Sequence, residues 1–282
     1  MLLDTVSEHG CFGGVQGFYK HASSSIGLPM RFSVYQPPQA GEGPVPVLFY
    51  LAGLTCNEET FMIKAGAQRF AAEHGIMLVA PDTSPRDTGI AGEADSWDFG
   101  TAAGFYLDAT QEPWSRHFRM ETYIVQELRE LVLQHFPVRK DSVGIFGHSM
   151  GGHGALTLAL RHPGVYKSVS AFAPIAAPTL CPWGHKAFSN YLGSDQAKWQ
   201  RHDASVLMQS KSCAPYPGGI LVDQGLADKF LEQQLMPQEF EAACAAVGQP
   251  LTLRRHAGYD HGYYFISSFI EDHLKFHHQC LR

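Results

Sequence analysis

Short apolar runs alternate along this chain with longer stretches in which apolar residues recur every three to four positions. Residues 30–35 alternate, with Phe32 and Val34 on one side, as a strand with one buried face does. Residues 45–51 and 76–80 are continuous apolar runs bounded by Gly or Pro, the pattern of strands buried on both faces. Between them, Phe61, Ala65, Phe70 and Ala71 are spaced as one helical stripe ending at Gly75. Tyr123, Val125, Leu128, Leu131 and Val132 form a stronger stripe that stops at Phe136-Pro137. Strand-like 143–146, helix-like 154–162 and strand-like 168–173 follow. Beyond an irregular stretch rich in Pro and Trp, 219–222 and 251–254 again read as strands. A helix through roughly 232–247 separates them, with Pro237 in its first turns. The glycines and serines of the first thirty residues predict turns and short strands. With no internal repeat and no low-complexity tract, this order predicts a single α/β domain over 1–282 around a mostly parallel sheet.

Composition narrows the function classes. Of 282 residues, 45% are hydrophobic and 17% charged, which suits a sizeable core and excludes wholesale disorder. A net charge of −6 without a Lys/Arg block does not suit nucleic acid or an anionic membrane surface. The longest apolar stretch, 45–54, contains Pro46 and is too short to span a bilayer. Asp4, Glu8 and His9 stand where a secretory signal needs an apolar run, so no export route is expected. The six cysteines form no Cys-x-x-Cys and read as reduced thiols. His273 and His277 have the i, i+4 spacing of a metal pair, but the plainer reading is a solvated polar face, and no metal is expected.

One segment carries chemistry: Val143-Gly-Ile-Phe-Gly-His-Ser149-Met-Gly-Gly-His-Gly-Ala-Leu156. Within it, Gly147-x-Ser149-x-Gly151 is the spacing of a nucleophile elbow. A serine on a tight strand-to-helix turn exposes its hydroxyl, and small residues two before and two after let neighbouring backbone pass. The following helix N-terminus then faces the charge that develops. The pentapeptide also fits a Gly-rich helix start with an ordinary serine. The strand-like run before it and the apolar Ala155, Leu156, Leu158, Ala159 and Leu160 after it favour catalysis.

Such a serine needs a base and an orienting acid, which follow it in the order acid, then His. His261, in Gly258-Tyr-Asp-His261-Gly262, falls in a turn between the last strand and the C-terminal helix, and His256 reads as packed at the strand end. Asp223 and Asp228 compete for the acid. Asp223 closes a strand and suits a turn-holding role through backbone NH groups, whereas Asp228 lies farther into the loop, within reach of an imidazole. Asp228 is therefore favoured, and Asp260, adjacent to His261, would point away from it. The oxyanion needs two backbone NH groups, supplied by position by Met150 and by Leu54 beside Gly53. Cys56 then lies near the site, as a modulatory thiol or as a small buried apolar residue.

These residues resemble the S-formylglutathione hydrolase (esterase D) family. The matching blocks run through most of the chain: Gly53-Leu-Thr-Cys56, Trp97-Asp-Phe-Gly100, Gly104-Phe-Tyr-Leu-Asp-Ala-Thr110, Gly147-His-Ser-Met-Gly-Gly-His-Gly154, Cys181-Pro-Trp-Gly184, Lys186-Ala-Phe188, Asp223-Gln-Gly225 and Tyr263-Tyr-Phe-Ile266. The resemblance implies an α/β-hydrolase fold, a cytoplasmic homodimer, and hydrolysis of a glutathione thioester to glutathione and formate without metal or cofactor. It supports Ser149, Asp228 and His261 as the triad, with Leu54 and Met150 as oxyanion donors. Trp97, Trp183 and Lys186 are candidates for gripping glutathione. A broad short-chain carboxylesterase or acyltransferase is the alternative within the chemistry, and a non-catalytic binding protein of this fold lies outside it. Three departures from the family pattern stand out. Ala102 replaces an expected Gly, Ala176-Ala177 replaces Cys-Asn, and Gly262 replaces a Ser beside the base. The first is expected to stiffen a loop, the second to remove polar groups near the elbow helix, and the third to loosen the His261 turn.

Overall fold

A computed structural model describes residues 2–282. Nine strands form one sheet: β1 (Asp4–Cys11), β2 (Gly14–Ala22), β3 (Pro29–Gln36), β4 (Val45–Leu51), β5 (Met77–Pro81), β6 (Val138–His148), β7 (Ser168–Phe172), β8 (Ile220–Gly225) and β9 (Leu251–His256). Their spatial order is β1-β2-β3-β5-β4-β6-β7-β8-β9. The run from β5 to β9 is parallel throughout, and β1, β2 and β3 extend it as an antiparallel edge. The expected mostly parallel α/β sheet is therefore observed.

The central strands explain the apolar runs. Every residue of β5 and all of β4 except Pro46 are buried, because helices cover both faces of a parallel sheet. The C-terminal helix Tyr263–Leu281 packs on β6, β7, β8 and the helix Ala67–His74. The helix Met150–Arg161 packs against β4, β6, β7 and the helix Ala204–Gln209. At the other edge, β1 is mostly exposed and joins β2 through Phe12-Gly13, both with positive φ (45° and 76°), the turn that matches strand twist.

Three expectations are corrected. The stripe from Phe61 to Ala71 belongs to two helices, Thr60–Lys64 and Ala67–His74, separated at Gly66 with φ 67°. The segment near 232–247 is likewise divided: a wide turn over Leu231–Leu235 ends at Met236 (φ 49°), and the helix proper is Pro237–Ala246. Proline at the first helical position disfavours helical backbone in the residue before it. Finally, His273 and His277 are fully buried, not solvated. They face β7, where Ser170 Oγ lies 2.8 Å from both His273 Nδ1 and His277 Nε2, and Ser168 Oγ lies 2.6 Å from His277 Nδ1. The two serines interrupt an otherwise apolar strand in order to satisfy these imidazoles.

Candidate active site

Ser149 stands directly after β6, between strand and helix, with φ 57° and ψ −119°. For a residue with a Cβ such backbone costs on the order of 1–3 kcal/mol, so the surroundings must hold it in place. They do so through backbone bonds. Ser149 NH donates to Phe172 C=O (3.0 Å), and its own C=O accepts from the NH groups of His153 (2.9 Å) and Ile175 (3.2 Å). The flanking glycines are required by proximity. A Cβ on Gly147 would lie 2.2 Å from the Gly151 carbonyl oxygen, and one on Gly151 would lie 1.9 Å from that of Leu51. The elbow forms because no larger residue fits on either side.

Loops that follow β4, β6, β8 and β9 meet here, at the carboxyl edge of the parallel sheet where such folds place their sites. After β8, Asp228 places Oδ2 2.5 Å from His261 Nδ1, its carboxylate fixed by the Phe230 NH at 2.9 Å on Oδ1. His261 lies beyond β9, and its ring packs 4.5 Å from that of His148, the neighbour of Ser149. Asp223 is engaged elsewhere. It accepts two hydrogen bonds from Arg254, at 2.6 and 2.5 Å, and faces His273 Nε2 at 3.3 Å. Burial opposes its ionisation, but His273 and Arg254 outweigh burial and hold the carboxyl well below its ordinary range. The expectation that backbone NH groups occupy Asp223 is thus corrected: an arginine from the adjacent strand does. His256 is packed at the end of β9, stacked 3.8 Å from Phe269.

The loop after β4 carries Gly53 and Leu54 past the serine; a Cβ on Gly53 would lie 3.1 Å from Ser149 Cβ. Among the described residues the Leu54 NH has no backbone acceptor, and the Met150 NH opens a helix, where no preceding helical turn supplies a carbonyl acceptor. Groups invisible in the local sequence fix this loop. Cys56 C=O accepts from Thr83 Oγ1 (2.6 Å) and from Arg86 (3.1 Å), and Arg86 is itself held by both oxygens of Asp82 (2.6 and 2.8 Å). Thr55 NH donates to Ala102 C=O (3.1 Å). The Cys56 side chain is partly buried; burial pushes its thiol above the ordinary value, against Tyr263, Thr60 and Lys64.

An aromatic wall leads away from His261. Phe230 meets the imidazole edge-on at 5.1 Å, Trp183 packs on Phe230 at 4.7 Å, and Trp97 on Trp183 at 5.7 Å. Trp97 is 56% exposed, so this wall reaches solvent. Lys186 does not point freely into it. Its ammonium is paired with Asp98 and bonds Ser96 Oγ (2.7 Å), pinning the Trp97 loop to the helix that bears Trp183. Sequence reasoning overlooked His148, which is buried against His261. Burial, and then His261, push its imidazole well below the ordinary value. Its place inside the elbow motif was the available signal.

His261 is thus paired with Asp228 and packs on His148, the residue before Ser149, while among the described residues the Leu54 NH beside them has no backbone acceptor. A family model described as "Putative esterase" matches residues 23–276. A curated relative named S-formylglutathione hydrolase, from Mus musculus, is 51% identical over 282 residues, covering 100% of this chain and 99% of its own. The chain belongs to the S-formylglutathione hydrolase family. A bacterial relative of the same name, from Paracoccus denitrificans (strain Pd 1222), is 52% identical over 281 residues, again covering 100% of this chain and 99% of the relative. The solved S-formylglutathione hydrolase from Agrobacterium tumefaciens superposes with a TM-score of 0.96 at 48% identity, covering 99% of this chain and 100% of that one. The expected α/β-hydrolase fold and serine-esterase class stand on these likenesses.

Structure also locates the three departures from the family pattern. Ala102 has φ 61°, a conformation that favours glycine, so the alanine strains the loop that anchors Thr55. Ala176 is buried with its NH on Leu235 C=O (2.8 Å) and its C=O accepting from Ser205 Oγ (2.8 Å). Gly262 has an ordinary φ of −87° and precedes the C-terminal helix without a side-chain cap, while Asp260 Oδ1 accepts its NH at 2.9 Å. Among the described residues no helix is long and apolar enough to cross a membrane.

Proposed function

We propose that this enzyme cleaves S-formylglutathione to glutathione and formate, the second step of glutathione-dependent formaldehyde removal, through a formyl-serine intermediate. His261 Nε2 takes the Ser149 proton, and Ser149 Oγ attacks the thioester carbonyl. Asp228 holds His261 through Nδ1 and stabilises the imidazolium. The Leu54 and Met150 NH groups receive the oxyanion. The C–S bond breaks and glutathione leaves as its thiol, protonated from His261. Water, deprotonated by His261, then attacks the formyl ester, and formate departs as Ser149 is reprotonated.

The observation that carries this reading is the 2.5 Å Asp228–His261 bond beside an elbow serine, in a chain half identical end to end to enzymes of that name. Trp97 and Trp183 form the wall against which the peptide lies, and Lys186 keeps Trp97 in place. Cys56 flanks the site without reacting. We further propose that 1–282 acts as one catalytic domain, in a cytoplasmic homodimer.

Ser149 is only 2% exposed, which favours a small acyl group over a long one. Each added methylene must displace packed atoms, and a few kcal/mol of misfit is a loss of about 10²-fold. The test is kcat/KM for the formyl, acetyl and butyryl thioesters of glutathione, with an acyl acceptor in a parallel assay. Formyl should lead acetyl, and acetyl should lead butyryl. Butyryl equal to formyl would point to a general esterase, and product formed only with the acceptor would point to an acyltransferase. Failure of a fluorophosphonate probe to label Ser149 would remove the serine mechanism.

A further inference from the structure

We propose that Tyr106 is a positioning residue for ester hydrolysis: with the backbone of 102–105 it aims the Leu54 NH by gripping the peptide units on either side of it. This rests on the oxyanion donors proposed above and deepens that reading.

Glycine gives a chain more rotational freedom than any other residue, and Gly53 immediately precedes the Leu54 NH. Glycine suits the close approach, since a Cβ there would lie 3.1 Å from Ser149 Cβ. A donor hung on so free a hinge has to be aimed by its surroundings. Peptide units are planar, so the Gly53–Leu54 unit is fixed once its own carbonyl and its two neighbours are held. All three are held. Gly53 C=O accepts from Cys56 NH (3.3 Å), which turns the Leu54 NH the opposite way. Upstream, Ala52 C=O accepts from the Tyr106 hydroxyl (2.7 Å). Downstream, Thr55 NH donates to Ala102 C=O (3.1 Å). Both outer ties therefore come from one short segment, 102–106, far away in sequence.

That segment is strained. Ala102, Phe105 and Tyr106 have φ of 61°, 49° and 51°, a region that side chains disfavour, and the last two are consecutive aromatics. Backbone of this kind persists only where its surroundings over-determine it. Here Ala102 NH donates to Ser84 Oγ (2.8 Å), and Ala103 C=O accepts from the Tyr191 hydroxyl (3.0 Å). Gly104 NH donates to Thr83 C=O (3.2 Å), and Phe105 C=O lies 3.2 Å from His153 Nε2. Tyr106 is 1% exposed, and its ring lies on Gly154, where a Cβ would meet it at 2.5 Å. The segment thus rests on the helix that follows Ser149 and reaches across to the loop that bears Leu54, registering nucleophile and donor against each other. Burial above all pushes the Tyr106 phenol well above its ordinary value, so its hydroxyl keeps its proton and donates.

The experiment measures wild type, Tyr106→Phe, Ser84→Ala and Tyr216→Phe on p-nitrophenyl acetate and on its thiono analogue, whose C=S accepts backbone hydrogen bonds poorly. Each kcat/KM is divided by the hydroxide rate of the same compound, and thermal melts establish folding. Tyr106→Phe keeps the ring on Gly154 and removes only the hydroxyl. It should lower kcat on the oxygen ester about tenfold or more with KM within about twofold, since complete loss of a donor costs about 10²–10³. The preference for the oxygen ester should fall about fivefold or more, because the thiono compound never drew fully on the donor. Ser84→Ala frees the Ala102 NH and should show the same pattern at about threefold; it decides the matter if Tyr106→Phe does not fold. Tyr216 is the control. Its buried hydroxyl donates to Ala159 C=O (3.1 Å), about 15 Å along the helix from Ser149, so Tyr216→Phe should lose stability and keep its kcat. Folded Tyr106→Phe with kcat within twofold of wild type overturns the proposal, and so does a loss that is equal on both compounds. If wild type itself shows no preference for the oxygen ester, the oxyanion donors have been misassigned, and the role of Tyr106 falls with them.

Discussion

Asp223 lies within β8 and Asp228 in the loop just beyond it, yet their surroundings separate them. Asp223 is spent on Arg254 and His273, whereas Asp228 gives one oxygen to His261 and the other to a backbone NH. Asp228→Asn should therefore lower kcat by about 10³–10⁴-fold in a protein that still melts cooperatively, because the imidazole loses its orienting acceptor. Asp223→Asn removes one of the two carboxylates that hold Arg254, the other being Asp272, and should cost about 1–3 kcal/mol of stability, with kcat of the folded fraction retained. Paired kcat and denaturation measurements check both, and the reverse pattern would transfer the acid to Asp223. A milder test concerns Ala102, whose left-handed backbone is disfavoured by about 1 kcal/mol relative to glycine. Ala102→Gly should raise the melting temperature by about 2 °C, and a fall would mean the alanine side chain contributes packing that outweighs its strain.

At the scale of elements, the oxyanion loop is held from outside its own segment. Arg86, clamped on Asp82, and Thr83 both grip the Cys56 carbonyl, two residues beyond Leu54. Arg86→Met would release that loop, and a shift of about 1 Å in a donor can cost up to about 10²-fold. The expected result is a tenfold or greater loss in kcat with a smaller change in KM, measured on a neutral ester; a change in KM alone would place Arg86 in binding. None of this was legible locally, because Asp82, Arg86 and Cys56 meet only when β4 and β5 pair. The elbow, by contrast, was legible, since its glycines answer to contacts within a few residues or with the adjoining strand. His273 and His277 were misread because i, i+4 spacing places them on one helix face without saying what that face meets. The serines of β7 held the missing half of that pattern. Helix limits near Gly66 and Met236 were blurred for another reason: apolar spacing continued across a break that is set by backbone geometry.

Over the whole molecule, the buried histidines make stability depend on pH. His148, His153, His273 and His277 are enclosed, and burial is the leading cause that lowers all four, with His153 reaching about 4. An imidazole whose folded pKa lies below its ordinary 6.5 takes up its proton more readily in the unfolded chain. Its contribution to stability is therefore complete above pH 6.5 and is lost as pH falls below that value. Each proton of difference steepens the loss by about 1.4 kcal/mol per pH unit. Asp223, held low in the folded state, adds a second loss only once the pH falls through the ordinary carboxylate range, near 4. The melting temperature should consequently be level from pH 8 to about 7 and fall ever more steeply between 6.5 and 5, before carboxylates titrate. His153→Gln tests the origin of that slope. Among the described residues its ring hydrogen-bonds the Phe105 carbonyl, at 3.2 Å, and an amide can donate the same bond without gaining a charge. The variant should lose less stability between pH 6.5 and 5 than the wild type, whatever its stability at pH 8. An unchanged slope would assign the acid sensitivity to other groups, and a wild-type profile level down to pH 5 would mean that these imidazoles are not held neutral.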